Sequence, residues 1–123
     1  VEYVPQGTLA ERIRAYGAGL GGVLTPTGLG TVIQEGKQIV NVDGKDYILE
    51  KPLKADIAFL RANIVDEDGN MVFLGTSQNF NPLMAMAADY VVVEAEKLVK
   101  NGEIAPEQIH ASGIFVDGIY LEK

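Results

Sequence analysis

Cysteine is absent from the 123 residues. That removes disulfides, thiolate metal sites and a Cys nucleophile, and with no need for an oxidising compartment the cytoplasm is the expected setting. A single histidine, His110, excludes a His-centred triad and a multi-His metal site, and no metal is expected. Basic residues are scarce: ten Lys and Arg face 17 Asp and Glu, for a formal net charge of −7. They are also scattered, so the phosphate-backbone footprint of a nucleic-acid binder is missing. Gly, Pro or charge cuts every apolar run well short of the roughly 18 residues that cross a bilayer, so no membrane partner is expected. The first residue is Val1 and no charged stretch leads into an apolar segment. The expectation is a chain without a signal peptide that begins in mid-protein.

What is present is ordinary for a folded chain: 47% apolar and 22% charged residues. The length fits one domain over residues 1–123 with one core. Val1 to Val4 alternates and ends at Pro5, which predicts a short strand running into Gln6-Gly7. Thr8 with Glu11 forms a capping box, so a helix is expected from about Thr8 to Gly17. Between Gly17 and Gly30 six of fourteen residues are glycine, which predicts a loop. Asp43-Gly44 between two alternating runs is a strong hairpin signal with a type I′ turn. Ala55 to Ile64, with the apolar run Ile57 to Leu60, suits a strand covered on both faces, and Asp66 to Asn70 a turn before a returning strand over Met71 to Leu74. Asn81-Pro82 predicts a helix through Ala88, and Tyr90 to Ala95 a strand. A helical turn at Ala105 to Gln108 and a last strand or irregular extended segment over Gly113 to Tyr120 complete the chain. The alternation argues for an α/β architecture with the hairpin as an antiparallel excursion. Two helices for about six strands cannot cover both sheet faces, so something outside the chain is expected to supply the rest.

Chemistry is sparse. Gly17-x-Gly19-x-x-Gly22 spells the dinucleotide fingerprint, but it follows a helix where the fingerprint must follow a strand. No P-loop exists, because the first lysine is Lys37. The Asp66 to Asn70 stretch has its glycine in the wrong place for a calcium loop. Met84 and Met86 read as packing and His110 as a capping or surface residue. Gln6 is the polar residue of most interest. Just before a helix N-terminus, its neutral amide can donate to a developing oxyanion, or simply bond the turn backbone.

Several long phrases carry a resemblance. Val4-Pro5-Gln6-Gly7-Thr8-Leu9-Ala10-Glu11-Arg12-Ile13-Arg14, Gly17-Ala18-Gly19-Leu20-Gly21-Gly22 and Leu24-Thr25-Pro26-Thr27-Gly28-Leu29-Gly30-Thr31 resemble family I CoA-transferases. Glu35-Gly36-Lys37, Leu49-Glu50-Lys51-Pro52-Leu53-Lys54-Ala55-Asp56 and Asn79-Phe80-Asn81-Pro82 continue it in the family's order. Leu20-Gly21-Gly22 is most similar to the α subunit of acetate or butyrate–acetoacetate CoA-transferases, of which the C-terminal part is matched.

The resemblance implies an α/β, isomerase-type open sheet with helices, of which this chain supplies a part. It also implies transfer of CoA between a short-chain acyl-CoA and a free acid (acetate, butyrate or acetoacetate) in short-chain fatty acid metabolism. A glutamate attacks the acyl-CoA, giving an acyl-glutamyl anhydride and then a glutamyl-CoA thioester that an acceptor carboxylate resolves. That glutamate belongs to a Ser-Glu-Asn-Gly motif on the β subunit, and no Glu-Asn-Gly occurs in this sequence. The implied partners are therefore the β subunit, the N-terminal part of the α subunit and the two substrates. Coenzyme A is a substrate, and no permanently bound cofactor is expected. The family glutamine falls on Gln6, in the oxyanion role. Gly21, Gly22, Val23, Leu24 and Thr25 resemble a wall of the acyl pocket, and Asn79 and Phe80 an element beside the cleft.

Two departures stand out. Val23 occupies a position where many relatives have Phe, which implies a roomier acyl pocket, and Gln78 stands where relatives commonly have Arg. Two other readings stay open at this level: a non-catalytic α/β assembly domain, and a lyase or isomerase subunit sharing the sheet.

Overall fold

A computed structural model describes residues 1–78 and 80–123, with Ser77 described by its backbone alone. The chain divides into two compact units, Val1–Lys54 and Ala55–Lys123.

Unit 1 opens on an extended segment over residues 1–5. The strand expected there does not form, because no strand among the described residues pairs with it. Helix α1 (Gln6–Gly17) begins before the capping box: Pro5 is the N-cap, and the Leu9 N–H bonds to the Pro5 carbonyl at 2.9 Å. Thr8 is thus drawn into the first turn, where it is buried and caps nothing. Glu11 instead pairs with Arg14 at 2.8 Å, and this hydrogen bond raises the guanidinium above its ordinary pKa. The C-terminus follows the prediction. Gly19 takes φ 72°, the Leu20 N–H reaches the Ala15 carbonyl at 2.8 Å and the Gly19 N–H reaches Tyr16 at 3.0 Å, a Schellman cap.

The glycine-rich stretch is not all loop. Strand β1 (Val23–Thr25) lies inside it and joins β2 (Ile39–Val42) and β3 (Lys45–Glu50) in an antiparallel sheet of order β1-β3-β2. Its β-favouring residues add to the open edge of β3 in the register Val23↔Glu50, Leu24↔Leu49 and Thr25↔Ile48. A three-residue strand among glycines has too little pattern to stand out in sequence. Gly22 permits the approach: at φ 145°, a Cβ there would stand 2.7 Å from the Glu50 carbonyl oxygen. The β2–β3 turn is type I′, with Asp43 and Gly44 at φ 51° and 83°.

Unit 2 is a four-stranded sheet of order β5-β4-β6-β7, formed by β4 (Ala55–Asp66), β5 (Met71–Val72), β6 (Ala88–Val99) and β7 (Gly118–Leu121). Strands β4, β6 and β7 run parallel, and β5 pairs antiparallel to β4. One face carries the apolar core: Ala58, Leu60, Ala62, Val91, Val93 and Ala95 pack with Phe73, Met71 and Ala85. The expectation that β4 is covered on both faces fails within this chain, since Ile57 and Phe59 remain 53% and 74% exposed. Successive strand residues point to opposite faces, and the described residues supply a layer for only one of them.

Two further elements are shorter than predicted. Helix α2 covers only Asn81–Met84, because Ala85 and Ala87 are drawn into the interior and β6 already starts at Ala88. Strand β5 stops at Val72 because side chains take over the next amides: His110 Nδ1 accepts from Phe73 N–H at 2.9 Å, and Asn63 Oδ1 accepts from Leu74 N–H. The Asp66–Asn70 segment is the turn expected. Asp66, buried, accepts from the Asp68 and Asn70 backbone and from the Asn70 amide. Among the described residues no helix is long and apolar enough to cross a membrane.

Candidate functional site

In unit 1 a groove of about 570 Å³ runs between the first turns of α1 and strand β1, lined by Gly7, Thr8 and Glu11 on one side and Val23, Leu24 and Thr25 on the other. The local sequence explains both walls. Pro5 presets the first turn, and its early amides have no intrahelical acceptor. Across the groove, Gly22 delivers the chain onto β3 so that Val23 and Thr25 are half-buried and Leu24 is exposed.

The structure thus brings Val23, Leu24 and Thr25 together opposite the helix that begins with Gln6. Gln6 is the first residue of α1 and exposed, rather than following a strand, and its neighbours Pro5 and Gly7 line the groove while Gln6 itself does not. A helix N-terminus carries a partial positive charge, so the helix end favours negative charge at this end of the groove. Gly21 and Gly22 precede the wall without lining the groove, and Gly22's place is explained by the Glu50 backbone. Phe80 belongs to unit 2, half-buried as the N-cap of α2, with its carbonyl accepting from Met84 N–H at 3.0 Å. Asn79 lies outside the described residues. Gln78 is exposed at the end of a 3₁₀ turn, Gly75–Gln78.

A larger cavity of about 900 Å³ lies in unit 2 at the ends of β4 and β6, lined by Val72, Leu98, Ile104 and His110 among others. It contains none of the expected site residues. His110 has a structural task there, since its Nδ1 holds Phe73 N–H and its ring stacks on Phe73 at 6.3 Å. Among the described residues no three His, Cys, Asp or Glu side chains gather as metal ligands would.

The sequence reading missed Glu50. Its carboxylate is 1% exposed, with Lys37 Nζ at 2.7 Å and Arg12 Nε at 4.0 Å. The signal was there: alternation along β3 places Glu50 on the same face as buried Ile48, where an acidic residue needs partners.

A family model described as coenzyme A transferase matches residues 1–122. The chain belongs to the coenzyme A transferase family. It is 51% identical over 123 residues to the acetate CoA-transferase subunit alpha of Escherichia coli K12, covering all of this chain and 56% of that protein. It is 53% identical over 122 residues to the acetoacetyl-CoA:acetate/butyrate CoA transferase alpha subunit of Clostridium acetobutylicum, covering 99% of this chain and 56% of that subunit. It therefore spans a little over half the length of these two members of the CoA transferase family. Among solved structures, an acyl-CoA transferase from E. coli O157:H7, captured as a thioester complex with CoA, superposes with a TM-score of 0.88. At 24% identity, over 98% of this chain and 29% of that one, this establishes the shared fold.

Proposed function

We propose that this chain is part of the α subunit of a cytoplasmic CoA-transferase that moves CoA between a short-chain acyl-CoA and a free acid such as acetate, butyrate or acetoacetate. The observation that carries the reading is the groove, in which Val23, Leu24 and Thr25 face the first turn of the helix that Gln6 opens. The names of the two relatives, which concern acetate, butyrate and acetoacetyl-CoA, support the substrate class.

The nucleophile in this reading is the glutamate of Ser-Glu-Asn-Gly on a β subunit. Its carboxylate attacks the thioester carbon of the acyl-CoA, the C–S bond breaks, and CoA thiolate leaves behind an acyl-glutamyl anhydride. Thiolate then attacks the glutamyl carbonyl and expels the first acid, giving glutamyl-CoA. The acceptor carboxylate repeats the cycle in reverse. Each addition places negative charge on a carbonyl oxygen, and the Gln6 amide donates to it. The groove receives the acyl chain, and the half-buried Val23 side chain sets its depth.

The test is Gln6→Ala in the full subunit assembled with its β partner. Loss of one oxyanion donor lowers kcat by about 10²–10³-fold with little change in KM. Turnover within twofold of the parent enzyme would instead support an assembly domain without catalytic residues.

A further inference from the structure

We propose that Glu50 is a positioning residue for the groove, its buried carboxylate fixing helix α1, and with it Gln6, against β1. The inference rests on the catalytic reading of Gln6 given above.

Glu50 joins the two walls through different parts of one residue. Its backbone pairs with Val23, and its carbonyl is the atom that leaves room only for glycine at position 22. Its side chain turns the other way, to Lys37 at 2.7 Å and to Arg12 of α1 at 4.0 Å. Arg12 completes the fastening: its Nε donates to the Lys51 carbonyl at 2.8 Å, and its own carbonyl accepts from Leu53 N–H at 3.0 Å. The chain just after β3 is thereby tied to the middle of α1. Arg12 and Gln6 lie on the same helix, about 9 Å apart along the axis, so a tilt at Arg12 is transmitted to the groove.

Burial makes the arrangement stringent. Glu50 is 1% exposed, and Lys37 and Arg12 are mostly covered, at 18% and 14% side-chain exposure. Neutralising the carboxylate leaves covered Lys37 without its counter-charge and Arg12 with only the exposed Glu2 at 3.6 Å, which the helix relieves by shifting. A displacement near 1 Å at a reacting group costs up to about 10²-fold in rate. Unit 1 has little else to hold that position, since its buried apolar residues are Ile13, Ala15 and Ile48.

The test is a double-mutant cycle in the assembled enzyme. We expect Glu50→Gln to lower kcat about tenfold or more, with KM for the acyl-CoA within about twofold. In a Gln6→Ala background the same substitution should change kcat by less than about twofold, because no donor remains to be misplaced. Equal, multiplicative losses in both backgrounds would overturn the proposal and make Glu50 a purely structural residue. Should Glu50→Gln fail to fold, Arg12→Gln carries the same test, since it cuts the link to α1 while Lys37 remains to pair the carboxylate. A several-fold kcat loss that vanishes on the Gln6→Ala background supports the positioning role, and an additive loss or none overturns it. If Gln6→Ala alone leaves turnover unchanged, the catalytic reading itself fails, a result distinct from additivity.

Discussion

The two units are held together by different means. Unit 2 has a contiguous apolar core in which Phe73, Val65, Val91, Val93, Met71 and Ala95 are essentially inaccessible. Unit 1 buries Ile13, Ala15 and Ile48 with two polar residues, Thr8 and Glu50. Its shape is set by glycines that allow close approach, a Schellman cap and a buried carboxylate between two cations. The candidate groove lies in the unit with the smaller core. An apolar core tolerates volume-conserving exchange, whereas a site built from backbone approach and charge depends on individual atoms.

Two substitutions would break or sharpen that contrast. The largest stability loss is expected in unit 2: Phe73→Ala empties a 1% exposed site and should cost about 3–5 kcal/mol in denaturant unfolding of the full subunit. A loss below about 1 kcal/mol would show that unit 2 does not depend on this core. In unit 1, Gly22→Ala should cost less, about 1–3 kcal/mol, because the residue sits at φ 145°. Yet it should damage turnover more than Phe73→Ala does per unit of stability lost, since the added Cβ pushes β1 off Glu50. Comparing kcat with the unfolding midpoint for the two variants checks this. Proportional losses in both would remove the distinction.

What the sequence made legible cuts across both units. The Asp43-Gly44 turn needs left-handed backbone at both residues, a demand written in their identities, and both adopt it. The α1 terminus at Gly17 and the Pro106–Gln108 turn were readable from their glycine and proline signals. Other features depend on tertiary partners that no local pattern records. Val23–Thr25 becomes a strand only because β3 offers an edge, and the start of the chain stays extended because none is offered to it. The Ala-rich stretch after Asn81 has strong helix propensity, but burial of Ala85 and Ala87 ends α2 at Met84. Of the candidate site, Gln6 is singled out by its place beside a helix N-terminus as well as by the resemblance, Val23 to Thr25 by the resemblance alone, and the groove joining helix turn to strand needed the fold. Glu50 went unnoticed because its partners come from α1 and from the segment before β2.

The central claim is that the groove between α1 and β1 receives the acyl chain, and the depth set by Val23 tests it most directly. In the assembled enzyme, Val23→Phe should lower kcat/KM for butyrate relative to acetate by about tenfold or more, the scale on which an apolar pocket discriminates methylene groups. An unchanged butyrate-to-acetate ratio would contradict the account and place the acyl site elsewhere.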